Sequence, residues 1–164
     1  MKKRVVSLGL AAMMAMSMTA CGGSGNASTS ESAAEDAQGA EGADGEVFKI
    51  GGIGPITGAA GAYGEAVKNG TELAINEINE AGGINGAQIE FQFQDDEHDA
   101  EKSVNAYNTL KDWGMQVLMG TVTTTPCVAV ADKTAQDNMF EVTPSASSTD
   151  VIAGDNVFQV CFTD

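Results

Sequence analysis

Basic residues are the first scarcity. Eight Lys and Arg stand against 23 Asp and Glu, a formal charge of −15. Three of the eight (Lys2, Lys3, Arg4) open the chain, and no acidic residue precedes Cys21. Beyond residue 20, five basic residues therefore face 23 acidic ones, a net −18. Phosphate backbones and anionic headgroups need Lys or Arg to neutralise them, so nucleic-acid binding is excluded. Histidine is down to one, His98, and no Gly-x-Ser-x-Gly turn occurs, which leaves a Ser–His hydrolase without its machinery. A Gly-Lys-Ser/Thr phosphate loop is missing too. The glycines of Gly54–Gly64 fall out of the dinucleotide register, and Lys68 lies too far into the next helix to serve a nucleotide. Aromatics are 5% of the chain, so a core must be assembled mostly from Ala, Val, Ile, Leu and Met.

No apolar run is long enough for a spanning helix. The longest, Val5–Met18, is fourteen residues behind a positive Lys2-Lys3-Arg4. That is short for a bilayer core of ~30 Å and suits the apolar region of a secretion signal over residues 1–20. Met18-Thr19-Ala20-Cys21 resembles a bacterial lipobox, in which a peptidase cuts before a Cys whose sulfur receives a diacylglycerol. Met18 stands where Leu is more usual. An ordinary cleaved signal with an incidental Cys is the alternative; the Gly22-Gly23-Ser24-Gly25 run favours lipidation at Cys21. Residues 21–46 then hold mostly Gly, Ser, Ala, Asp and Glu, with no aromatic or large aliphatic side chain. Such a segment cannot bury enough surface to offset its ordering entropy and is expected to be a disordered, acidic tether of ~25–30 Å root-mean-square reach.

Residues 47–164 carry the globular pattern, a length sufficient for one core. Val47–Ile53 is an apolar run ending in Gly and Pro, as a buried strand does. Val67, Gly70, Ala74 and Ile78 follow at helical spacing, with Tyr63, Ala66 and Leu73 widening the stripe and Ala81-Gly82-Gly83 as the stop. Asn85-Gly86 turns the chain into a strand over Gln88–Gln94. A helix over Ala100–Trp113, a strand over Gln116–Met119, a helix over Pro126–Asn138, and strands over Met139–Val142 and Asn156–Cys161 complete the series. This alternation predicts an α/β fold, a doubly wound parallel sheet covered on both faces, with ligands beyond the carboxyl ends of the strands.

Two of the loops at those ends are rich in hydroxyls. In Gly120-Thr121-Val122-Thr123-Thr124-Thr125-Pro126, Pro126 fits the first helical position and Thr125 the N-cap. Free N–H groups at the helix start, beside Thr123 and Thr124, suit a carboxylate without any basic side chain. A self-capping Thr-rich turn is the competing reading. Thr143-Pro144-Ser145-Ala146-Ser147-Ser148-Thr149 repeats the chemistry on the neighbouring loop. Two such loops in register suit a zwitterion, with donors for its carboxylate and carbonyls for its ammonium. Tyr63, at the head of the first helix, either lids this pocket or simply packs.

Asp95-Asp96-Glu97-His98-Asp99 has the residue types of a metal site but not the spacing, and reads as a solvated loop capping the next helix. No metal, cofactor or catalytic residue is assigned. Cys127 and Cys161 are either small buried fillers or, in an exported chain, a pair.

Phe48-Lys49-Ile50-Gly51 leading to Gly54-Pro55-Ile56-Thr57-Gly58, then Tyr63-Gly64 and Ile78-Asn79-Glu80-Ala81-Gly82-Gly83-Ile84-Asn85-Gly86, resemble the opening of a known family. It comprises the branched-chain amino-acid (leucine/isoleucine/valine-type) substrate-binding lipoproteins of ABC importers, which have the periplasmic-binding-protein type 1 fold. Asp95-Asp96, Gly120 with its hydroxyl loop, and Thr143-Pro144-Ser145-Ala146-Ser147 continue the pattern, so the resemblance spans nearly all of Phe48–Asp164. It implies a two-lobed receptor, of which this chain is the N-terminal lobe and the second lobe is missing. It further implies that Thr124 holds a solute carboxylate, that Ser145 offers its carbonyl to the ammonium, that Ser147 offers N–H and hydroxyl, and that Tyr63 borders the side-chain pocket. With Thr123 and Ala146, these are the candidate binding residues. Some members bridge the loops after strands two and three with a disulfide; the corresponding positions are His98 and Thr123, so that bridge is not expected. The implied partners are an amino acid, the permease subunits of an ABC transporter and the membrane through the lipid anchor, with the protein itself a monomer outside the cytoplasm. A sensor module of the same fold for amides or other small carboxylates is the alternative, and an exported enzyme is the least supported.

Overall fold

The computed structural model describes residues 47–163. The signal segment, Cys21 and the tether lie outside the described residues. The elements run β1 Val47–Gly54, α1 Gly61–Glu80, β2 Gln88–Asp95, α2 Ala100–Trp113, β3 Val117–Gly120, α3 Thr124–Asp137, β4 Phe140–Thr143, a 3-10 turn Thr149–Ile152 and β5 Val157–Gln159. The five strands form one sheet in the order β2-β1-β3-β4-β5, every neighbouring pair parallel. The expected α/β sheet is present, with two shifts: β5 is shorter than expected, and α3 begins at Thr124.

The chain first steps from β1 to β2 and then crosses back to β3. Right-handed crossovers therefore place α1 on one face and α2 and α3 on the other. The second face holds the core: Ile53, Tyr107, Leu110 and Leu118 are fully buried there, with Met115 and Val130. Each large aliphatic group so buried contributes roughly 1.5–3 kcal/mol. Gly51 is what lets α2 approach, since a Cβ there would run into Met115 and Leu110. α2 starts on Asp99, whose carboxylate accepts from Lys102 N–H at 2.9 Å, and ends on left-handed Gly114.

α1 is rotated away from its expected orientation. Its buried residues are Gly61, Gly64 and Ile75, whereas Tyr63 is 66% and Leu73 62% exposed. Two contacts set the rotation. Gly64 lies against the Pro55 carbonyl, where any Cβ would collide. At the other end Asn79 turns inward and makes two bonds to the backbone of Ile89, donating to its carbonyl at 2.9 Å and accepting from its N–H at 2.7 Å. β2 is an edge strand, so Asn79 satisfies backbone groups that no strand reaches. The Asn85-Gly86 turn is observed, both residues at positive φ as a tight hairpin-type turn requires.

Helices cover both faces over β1 and β2. Over β3 to β5, among the described residues, only the α2/α3 face is covered. On the other side Phe140 and Phe158 lie half exposed with ring centroids 5.1 Å apart.

Candidate functional site

The carboxyl ends of β1, β2, β3 and β4 open onto one cleft of ≈ 370 Å³. Sites for small molecules run to roughly 300–1,000 Å³. Tyr63, Thr123, Thr124, Ser145 and Ser147, five of the six expected binding residues, line it together. Ala146 does not. It is buried, its N–H faces the Thr143 hydroxyl at 3.3 Å, and its carbonyl accepts from Gln159 and from the Cys161 thiol. Its small side chain fills the interior beside Cys127 and Val151. Ala60, Val122, Thr125 and His98 also line the cleft and were not among the expected residues.

The floor is the start of α3. Its N-cap is Thr123, two residues earlier than expected, which puts Pro126 at the third helical position. The reason is that Thr123, with extended φ and ψ of −121° and 151°, already supplies the first helical acceptor: Cys127 N–H bonds to its carbonyl at 3.0 Å. Pro126 still forfeits no bond, because the first few N–H groups of a helix have no partner within it. The Thr123 side chain does not cap the helix; its hydroxyl lies 2.8 Å from His98 Nδ1. The N–H groups of the first turn are thus left for the cleft, at the positive end of the helix. This answers the self-capping alternative: the Thr-rich turn leaves its helix end open.

Hydroxyls bind the loops to one another. Ser145 donates to the Val122 carbonyl at 2.6 Å and Thr143 to the Thr121 carbonyl at 2.8 Å, tying the turns after β3 and β4. Asp95 does the same for β1 and β2, accepting from Ile56 N–H at 3.0 Å, Thr57 Oγ1 at 2.6 Å and Glu97 N–H at 2.9 Å. Burial raises the Asp95 carboxyl, but these donors outweigh it and hold it below the ordinary carboxylate value. Asp96, fully buried, accepts from His98 N–H at 2.9 Å and Ser103 Oγ at 3.0 Å; burial leads and pushes its carboxyl up. The acidic loop is thereby committed to holding backbone in place.

Beneath the floor sits Glu141, a buried acid that the sequence reading passed over. It accepts from Thr134 Oγ1 at 2.8 Å and from the Cys127 thiol at 3.5 Å, with no basic side chain bonded to it among the described residues. Burial pushes its carboxyl up to about 7, against the lowering effect of Thr134, Cys127 and the Thr121 N–H. Cys127 is itself pushed up to about 12, by burial first and then by the Glu141 charge. Cys127 and Cys161 are both free thiols; Cys127 is the buried filler expected from the sequence, whereas Cys161 is only partly buried.

Comparison with known proteins agrees with this fold. The family model described as periplasmic binding protein matches residues 47–164. Leu/Ile/Val-binding protein homolog 3 of Brucella melitensis biotype 1 is 38% identical over 110 residues, 66% of this chain and 30% of the relative. Leu/Ile/Val-binding protein BraC3 of Rhizobium johnstonii is 36% identical over 95 residues, 58% of this chain and 26% of that protein. Among solved structures, the branched-chain amino acid transporter substrate-binding protein LivJ of Streptococcus pneumoniae, in complex with isoleucine, is similar with a TM-score of 0.68. It is 28% identical, over 72% of this chain and 34% of that one. The leucine-binding protein LivK of Thermotoga maritima gives 0.65 and 26% identity, over 72% and 33%. The chain spans about a third of the length of the relatives it matches. With the family model covering residues 47–164 and the parallel sheet shared with these structures, the chain belongs to the periplasmic binding protein family.

Proposed function

We propose that this chain is the ligand-holding lobe of an extracytoplasmic solute receptor that captures an amino acid of the branched-chain type for an ABC importer, tethered to the membrane through a lipid on Cys21. The supporting observation is the cleft itself: the open start of α3 and the hydroxyl turn after β4, side by side, with Thr124 and Ser147 facing the same space. Backbone N–H groups and hydroxyls at a helix start neutralise a carboxylate without a Lys or Arg. Ser145 spends its hydroxyl on Val122, which leaves its carbonyl as the group to meet an ammonium. Tyr63 lines the mouth and is two-thirds exposed, which supports reading it as the border of the solute side chain. Relatives named for leucine, isoleucine and valine point to the same solute class. The receptor works as a monomer by binding alone and passes its solute to permease subunits. Calorimetric titration of the full-length protein with a panel of amino acids tests this. Heat is expected with branched-chain side chains; no heat from any amino acid, with binding of some other solute, refutes the class.

A further inference from the structure

His98 is the one residue of the cleft whose placement demands an unusual backbone. Glu97 and His98 both sit at positive φ, 51° and 62°, a region that residues other than glycine visit infrequently. Two carboxylates hold them there: Asp95 accepts from Glu97 N–H and buried Asp96 from His98 N–H, each at 2.9 Å. The result aims the imidazole across the cleft rim, with Nδ1 2.8 Å from the Thr123 hydroxyl. Backbone held in a sparsely populated region this way is a pointer to function.

We propose that His98 is a positioning residue for the solute: by its protonation it decides which proton Thr123 turns toward the cleft, and so how tightly a carboxylate is held. This rests on the solute class proposed above. We take the neutral ring as protonated on Nε2: Nδ1 is then an acceptor and consumes the Thr123 O–H, leaving lone pairs toward the carboxylate. With the ring protonated on both nitrogens, Nδ1–H donates to Thr123 Oγ1. The hydroxyl proton is then free for the solute, and a positive charge stands at the rim of a site that otherwise has none.

The charged groups around His98 are accounted for. On its own loop they are Asp95, Asp96, Glu97 and Asp99. From α2, Lys102 is paired with Glu97 at 2.7 Å. The turn after β3 presents Thr123 and no charge, and α1 presents Tyr63. Glu141 lies under the floor rather than in the cleft, so its titration is separated by varying His98 alone.

The test is calorimetric titration of the full-length receptor with a branched-chain amino acid at about pH 5 and about pH 8, the span over which histidine changes charge. The wild type is expected to bind about three- to tenfold more tightly at the lower pH, the effect of one charge and one recovered donor near a carboxylate. His98→Asn, whose side chain tolerates the left-handed backbone, and Thr123→Val should both lose that response, and Thr123→Ser should restore it. Equal dissociation constants at the two pH values in a wild type that binds overturn this inference alone. An unchanged response in His98→Asn or Thr123→Val overturns it too. A wild type that binds no amino acid at either pH removes the solute class and this inference together.

Discussion

The hydroxyl of Ser145 donates to the carbonyl of Val122 at 2.6 Å, joining the turn after β4 to the turn after β3. The cleft thus has two kinds of hydroxyl, those that hold loops together and those left for a guest. Substitution should separate them. Thr124→Ala removes a hydroxyl proposed to face the solute and is expected to weaken binding by about 1–3 kcal/mol, as for an abandoned hydrogen-bond partner. Ser145→Ala loosens only the join between turns and should weaken binding by about 1 kcal/mol or less, with part of its effect appearing in thermal stability. Calorimetry on the full-length receptor, with melting curves, compares them. A larger binding loss at Ser145 than at Thr124 reverses the assignment.

Glu141 gives the fold a pH dependence of its own. Its folded value, about 7, lies above the ordinary 4.5, so the folded chain holds this proton more tightly than the unfolded one. The protonated acid is accommodated fully below about pH 4.5; as pH rises through about 7, burying the charge costs about 3 kcal/mol, an order-of-magnitude figure. Glu141→Gln should therefore leave stability nearly unchanged in acid and raise it at pH 8, where the wild type carries the buried charge. Urea unfolding of both proteins across that range measures the difference. A gap that does not widen with pH contradicts the burial argument.

Asn79 closes the edge of β2 through two bonds to Ile89, 2.7 and 2.9 Å long. Asn79→Ala leaves both backbone groups without that partner and is expected to cost about 1–3 kcal/mol of stability. Asn79→Asp, which keeps the acceptor and loses the donor, should fall between the two. Denaturant midpoints rank the three, and equal stability of wild type and Ala variant removes the role.

The glycines of α1 should respond with opposite signs. Gly64→Ala drives a methyl into the Pro55 carbonyl and is expected to destabilise by about 1–3 kcal/mol. Gly70, in the helix interior and exposed with open space around it, should gain about 0.5–1 kcal/mol on becoming Ala. Paired thermal melts decide; stabilisation by both would show that α1 shifts freely off the Pro55 loop.

These residues also mark what the sequence could convey. Strand and helix order was legible because Gly-Pro, Ala-Gly-Gly and Asn-Gly punctuate apolar runs of the right lengths. The candidate cleft was legible because Thr and Ser cluster after two successive strands, and both loops line it. The rotation of α1 was not, since apolar periodicity favours Leu73 and Ile78 while the deciding contacts are a close backbone approach at Gly64 and polar bonds at Asn79. Glu141 escaped because one acid in a short strand reads as its solvent face; only the packing of α3 over β4 buries it. Ala146 looked like its Ser neighbours in the loop, yet both its backbone groups face protein. His98 carried no signal of its own in the acidic run; only the fold brings its Nδ1 to 2.8 Å from the Thr123 hydroxyl.

The most direct measurement is a crystal structure of the full-length receptor grown with a branched-chain amino acid. The account predicts the solute carboxylate within hydrogen-bond distance of Thr124 and the first N–H groups of α3, and its ammonium against the Ser145 carbonyl. A solute bound elsewhere, with Thr124 and Ser147 turned to bulk water, contradicts it.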